Sequence, residues 1–146
     1  MHSYEASTRI DAPPSLVWGM LTDLGGWRDW DSGVDRVEGR IALGERVTVH
    51  ATMIRSRPWR ATVTEVRPEE GMRWHVGLPL GLAAIDRTYH LDPQDDGGTV
   101  LTVREHSTGP LAFLLDRRTP DLNPSFRQFC AGLKALAERR AASPSS

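Results

Sequence analysis

Residues Thr119 to Glu138 constrain the fold most, because they carry a long amphipathic helix pattern directly after a long run of strand-like sequence. Phe126, Phe129, Cys130, Leu133, Leu136 and Ala137 recur at the three- and four-residue steps of one helical face. Arg127, Gln128, Lys134, Glu138 and Arg139 fall mostly on the other. Asn123 followed by Pro124 predicts an N-cap and a first-turn proline, since proline lacks the N–H that a first turn leaves unpaired. Thr119-Pro120 carries the same signal one turn earlier. A helix this apolar on one face must rest on something, and the strand-like sequence before it predicts a sheet.

The strands are legible by alternation. Tyr4 to Ile10 puts Tyr4, Ala6, Thr8 and Ile10 on one side. Asp11-Ala12-Pro13-Pro14 ends that strand and starts a helix with Leu16, Val17, Met20, Leu21 and Leu24 as its apolar stripe. Gly25-Gly26 is expected to break the helix, leaving Trp27 to Asp31 as a short second turn whose tryptophans are packing anchors. Six antiparallel strands are then predicted: Val34 to Ile41, Arg46 to Ile54, Trp59 to Val66, Met72 to Leu78, Leu82 to Asp92 and Thr99 to Glu105. Asp95-Asp96-Gly97-Gly98 is a strong turn signal between the last two, because glycine accepts positive φ without steric cost.

Length and charge set the outer bounds. With 146 residues the chain is read as one domain over residues 1–140, with 141–146 as a flexible tail. A net charge of -1 gives no electrostatic case for nucleic acid or an anionic membrane. The single cysteine excludes an internal disulfide and any multi-cysteine metal site. No apolar stretch follows Met1-His2-Ser3, and no apolar run is long enough to cross a bilayer. The expectation is a soluble, cytoplasmic protein without membrane insertion. Lys134 is the only lysine among 18 basic residues, a composition that suggests a GC-rich bacterial genome.

This order of elements resembles the START-like superfamily, also called SRPBCC, with the helix-grip fold. The residues that carry the resemblance are Ile10 to Trp18, Leu21-Thr22-Asp23-Leu24, Trp27 to Asp31, Leu91-Asp92-Pro93, Gly97 to Val103 and Leu133 to Glu138. It covers about residues 3 to 140. The resemblance implies an α+β protein: a curved seven-stranded antiparallel sheet wrapped around the long C-terminal helix, with two short helices between strands 1 and 2. It also implies a hydrophobic cavity between sheet and helix, as in polyketide cyclase/dehydrase-type relatives. Taken without it, the apolar faces fit a filled core equally well.

On alternation, the inner face should carry Val47, Val49, Ala51, Met53, Ala61, Val63, Trp74, Val76, Leu78, Ile85, Tyr89, Leu101 and Val103. Phe126, Phe129, Cys130 and Leu133 should close it from the helix. Two charged residues share that parity, Arg87 and Glu105. If Leu91 pairs with Leu101, Tyr89 faces Val103 and Arg87 faces Glu105, which sets opposite charges across from each other. Either the pair lies at the sheet's rim and reaches solvent, or it anchors a polar group of a ligand inside an apolar site. Glu105 as an acid/base would need burial to raise its pKa, and a facing arginine works against that.

His50, His75, His90 and His106 fall on the opposite parity and should face outward. None has metal-ligand spacing, so no metal or other cofactor is expected. Cys130 is expected to be a small core residue whose burial suppresses the thiolate. The apolar segments Gly77 to Leu82 and Gly109 to Leu115 are expected to flank the entrance.

The leading functional expectation is a module that binds a hydrophobic small molecule such as a lipid, polyketide or aromatic metabolite. Its site would comprise Val49, Ala51, Met53, Val63, Trp74, Val76, Ile85, Arg87, Tyr89, Leu101, Val103, Glu105, Phe126, Phe129, Cys130 and Leu133. The resemblance permits a second reading, a polyketide aromatase/cyclase in which Arg87 polarises a carbonyl while Glu105, Tyr89 or an ordered water assists enolisation. A third is a cochaperone-like module that binds a protein partner. Exposed sheet edges and Trp59 are compatible with a monomer or a homodimer.

Overall fold

The computed structural model describes residues 3–51, 59–112 and 123–142. Seven strands run β1 (Ser3–Ile10), β2 (Val34–Glu38), β3 (Arg46–Ala51), β4 (Trp59–Arg67), β5 (Gly71–Gly77), β6 (Ala84–Pro93) and β7 (Thr99–Thr108). Between β1 and β2 stand helix α1 (Pro14–Thr22) and a 3-10 helix (Leu24–Asp29), and helix α2 (Asn123–Ala142) follows β7. The strands form one antiparallel sheet in the order β1-β7-β6-β5-β4-β3-β2. The sheet curls into a half-barrel against α2, which is the helix-grip α+β architecture.

Alternation explains which face is buried. Along β7, Thr99, Leu101, Val103, Glu105 and Ser107 are all buried, while the residues between them are not. α2 meets the sheet with Phe126, Phe129, Cys130, Leu133 and Ala137, whereas Leu136 is only half-buried. Asn123 stands at the helix start, and its Oδ1 accepts the Glu5 N–H of β1 at 3.2 Å. Farther along, Lys134 Nζ donates to the Arg9 carbonyl (2.6 Å) and to Glu138 (2.7 Å). Glu138 in turn accepts the Asp11 N–H at 2.9 Å. The only lysine thus belongs to a seam that ties α2 to the end of β1.

Several boundaries depart from the sequence reading. The first helix ends at Thr22, ahead of Gly25 and Gly26, and both glycines lie inside the 3-10 helix Leu24–Asp29. β2 stops at Glu38 rather than Ile41, β7 runs three residues past Glu105, and α2 continues to Ala142. Leu78, expected on the inner face, is 41% exposed. The β5–β6 ladder ends at Gly77–Ala84, and Pro79 then turns the chain into a 3-10 turn that carries Leu78, Leu80 and Leu82 outward. Val76 is half-buried. Met53 lies outside the described residues, and of Ala51 only its place at the end of β3 is described.

One glycine matters for docking. A Cβ on Gly132 would collide with the Asp31 carbonyl oxygen and come within 3.1 Å of the Trp30 ring, so α2 lies against the Trp30–Asp31 backbone. Gln128 Nε2 supports the same contact by donating to Asp31 Oδ1 at 2.7 Å. In an exposed helix, Gly→Ala is stabilising by roughly 1 kcal/mol. Here Gly132→Ala should reverse that sign and destabilise by about 1–3 kcal/mol, the usual overpacking range, as read from the urea midpoint.

Candidate functional site

The β6–β7 hairpin sets the register of the site. Gln94 N–H donates to the Gly98 carbonyl at 2.8 Å, and Gly97 sits at φ 90°, closing the turn expected at Asp95–Gly98. From there Leu91 faces Leu101, Tyr89 faces Val103, and Arg87 faces Glu105, as the sequence reading anticipated. β1 sets Tyr4 opposite Glu105, β5 sets Trp74 opposite Arg87, and β4 sets Val63 opposite Trp74. Tyr4, Glu105, Arg87, Trp74 and Val63 therefore form one row across five strands.

Arg87 binds Glu105 through both Nε (3.1 Å) and Nη2 (2.8 Å) to the same carboxylate oxygen. The Arg87 side chain retains 14% exposure and that of Glu105 only 5%. The pair is thus recessed rather than at an open rim, the carboxylate more completely than the guanidinium. Phe126 of α2 covers the guanidinium at 5.0 Å from its ring centroid, a cation–π contact. Burial opposes the positive charge of Arg87, but Glu105 and the Tyr89 hydroxyl outweigh it and hold the guanidinium protonated above its ordinary value. Burial raises the Tyr89 hydroxyl above the usual tyrosine range, with Arg87 partly opposing.

Beside this polar pair the space between sheet and helix is aromatic. Trp27 stacks on Trp74 at 5.7 Å with planes 17° apart. It also meets Phe129 edge-on at 4.9 Å, and Tyr89 lies 5.0 Å from Trp74. On the other side of the pair, Ile85 faces Ser107, and Val76 faces Ile85. These residues are less completely sealed than Leu101 or Val103. Arg87 and Glu105 therefore lie near one end of the buried face.

Of the proposed site residues, Arg87, Glu105, Tyr89, Trp74 and Phe126 come together here. Val49, Val63, Leu101, Val103, Phe129, Cys130 and Leu133 are buried in the same core. Two bordering residues, Tyr4 and Ser107, escaped the sequence reading. Both share the inner parity, but β7 was expected to end at Glu105, and the β1–β7 pairing joins distant parts of the chain.

Cys130 is buried, and desolvation pushes its thiol up to about 11. A thiol raised in the fold contributes stability below its ordinary pKa and loses it as pH rises toward the native value. At about pH 8.5, native Cys130 should react with iodoacetamide roughly a hundredfold more slowly than in urea-unfolded protein, because the thiolate is the nucleophile.

Among the described residues, His50, His75, His90 and His106 lie on the outer parity. His75 Nδ1 is 2.9 Å from Asp86, and His106 Nδ1 is 2.9 Å from Ser3 Oγ. Among the described residues no group of three or more His, Cys, Asp or Glu is arranged to hold a metal. No described helix is long and apolar enough to cross a membrane. A surface depression of about 260 Å³ lies at the β4–β5 turn, lined by Glu65, Arg67, Arg73 and His90 among others. Within it Glu65 lies 2.6 Å from Arg67 and 3.8 Å from Arg73. The two apolar segments expected at an entrance are neighbours where described, since Leu111 N–H donates to the Leu82 carbonyl at 2.8 Å. Residues 113–115 of the second lie outside the described chain.

A family model described as polyketide cyclase / dehydrase and lipid transport matches residues 1–138. Among solved structures, the Zhui aromatase/cyclase from Streptomyces sp. R1128 is similar with TM-score 0.74 and 16% identity, over 99% of this chain and 98% of that one. The di-domain ARO/CYC BexL from the BE-7585A biosynthetic pathway gives TM-score 0.71 and 18% identity over 98% of this chain and 48% of that one. The Aha1 dimer from Colwellia psychrerythraea gives TM-score 0.70 and 16% identity, over 94% and 97%. At these identities the likeness shows the fold. No curated protein is similar enough in sequence to match.

Proposed function

The chain belongs to the polyketide cyclase / dehydrase and lipid transport family, and from that premise we propose that it binds a hydrophobic small molecule between the curved sheet and α2. The observation that carries the reading is the Arg87–Glu105 pair, recessed beside aromatic side chains yet with Arg87 still partly accessible. An apolar site with one or two polar groups gives affinity through burial and orientation through hydrogen bonds. The ligand's apolar part would lie against Trp74, Tyr89 and Phe126, and its polar group against Arg87. Native mass spectrometry of the purified protein, with identification of what co-purifies, tests this directly. If no lipid or aromatic compound co-purifies and none binds when added, the reading fails.

A second reading is favoured by the family description and by the likeness to two aromatase/cyclases. In that reading the site folds a flexible poly-β-keto chain so that an enolised carbon attacks a second carbonyl of the same chain. The new C–C bond pushes the carbonyl electron pair onto oxygen, which takes up a proton, and later loss of water aromatises the ring. Arg87 would polarise the attacked carbonyl, and Tyr89, kept protonated by burial, would supply a hydroxyl donor. Positioning contributes most of the rate in such a reaction. Turnover of a model polyketide that disappears in Arg87→Ala and Glu105→Gln supports this reading, and unchanged turnover in both removes these residues from it.

A further inference from the structure

We infer that the Arg87–Glu105 pair sets the charge class of the ligand: it admits an uncharged hydroxyl or carbonyl and rejects a carboxylate. The inference rests on the binding reading above and narrows it. An arginine facing an apolar site usually signals an acidic ligand, since guanidinium and carboxylate match in charge and geometry. Here that charge is already answered. Glu105 accepts from Nε and Nη2, and its side chain is the more buried of the two, 5% exposed against 14% for Arg87.

Among the described residues, the surroundings leave that balance as it is. Phe126 covers the guanidinium, Trp74 stands beside it in the neighbouring strand, and Tyr89 presents a hydroxyl that burial keeps protonated. On the far side of Glu105 stands Tyr4, and Ser107 follows on the same strand face. Among these described neighbours the only full charges are one positive and one negative. A ligand carboxylate would therefore create a buried group of two anions about one cation. An excess buried charge is strongly unfavourable in a medium this poor in water. A neutral hydroxyl or carbonyl binds the accessible part of Arg87 without adding charge, so the pair acts as a dipole with its positive end toward the ligand.

Two probes with the same ring system separate these cases: 2-naphthol and 2-naphthoate at neutral pH, where the first is uncharged and the second is an anion. Titration calorimetry on the wild-type protein should give at least about tenfold tighter binding of 2-naphthol, where tenfold corresponds to ~1.4 kcal/mol. Glu105→Gln keeps an oxygen acceptor for Arg87 but removes the compensating charge, so the preference should reverse in favour of 2-naphthoate. The double variant Arg87→Gln/Glu105→Gln restores neutrality and should again prefer 2-naphthol, which keeps the test open if the single variant folds poorly. Equal affinities in the wild type, or an unchanged ratio in Glu105→Gln, would overturn the charge selection while leaving binding intact. If neither probe nor any other apolar compound bound the wild type, the binding reading would fail and this inference with it.

Discussion

Glu105→Leu is expected to lower stability by about 3–5 kcal/mol, the range for breaking a buried ion pair on one side. The carboxylate is nearly sealed and Arg87 only slightly exposed, so removing Glu105 takes the carboxylate acceptor of Nε and Nη2 from a guanidinium that water reaches poorly. Phe126 and the Tyr89 hydroxyl remain beside Arg87, but neither brings a compensating negative charge. At roughly 3 °C per kcal/mol for a domain of this size, the melting temperature should fall by about 10 °C. Arg87→Leu/Glu105→Leu should recover most of that loss, because an apolar pair in an apolar setting leaves no charge to solvate. The double-mutant cycle is the decisive measurement. Additive losses from the two single variants would mean that the pair is energetically uncoupled.

Trp27→Ala should cost about 3–5 kcal/mol, the range for truncating a large buried aromatic. Trp27 is 1% exposed and joins the rings of Trp30, Trp74, Tyr89 and Phe129. Its indole N–H donates to the Met20 carbonyl at 3.2 Å, and its own carbonyl accepts Ser32 Oγ–H at 2.6 Å. The residue thus pins the 3-10 helix, α1 and the following loop to the sheet at once. Trp30→Ala should cost less, since Trp30 is only half-buried at the edge of the group. Urea unfolding of both variants ranks them, and equal losses would mean that Trp27 is not the centre of the cluster.

What was legible in the sequence was governed by period and by local turns. Alternation in β6 and β7, with a glycine turn between them, is enough to bring Arg87 opposite Glu105. α2 was legible because its buried residues recur at helical steps. What stayed hidden depends on pairings between distant segments or on a break in the period. Tyr4 reaches Glu105 only through β1 pairing with β7, about two thirds of the 146-residue chain away. A bulge between Val63 and Glu65 shifts the register so that Val66 comes opposite Met72, which strict alternation misses. Leu78 continues the apolar parity of β5 on paper, but the strand has ended one residue earlier. Gly132 carries no signal of its own in the sequence, whereas its missing side chain is what lets α2 approach the Trp30–Asp31 backbone.

The stacked Trp27 and Trp74 rings, with centroids 5.7 Å apart and planes 17° from parallel, have an optical consequence. Two indole transition dipoles so close mix into coupled excitations, which produce paired bands of opposite sign in circular dichroism. Trp74 also stands beside Arg87 in the sheet, so a ligand seated there changes the polarisability around one member of the couple. In the proposed binding mode, the intensity of those bands would report occupancy without an attached dye.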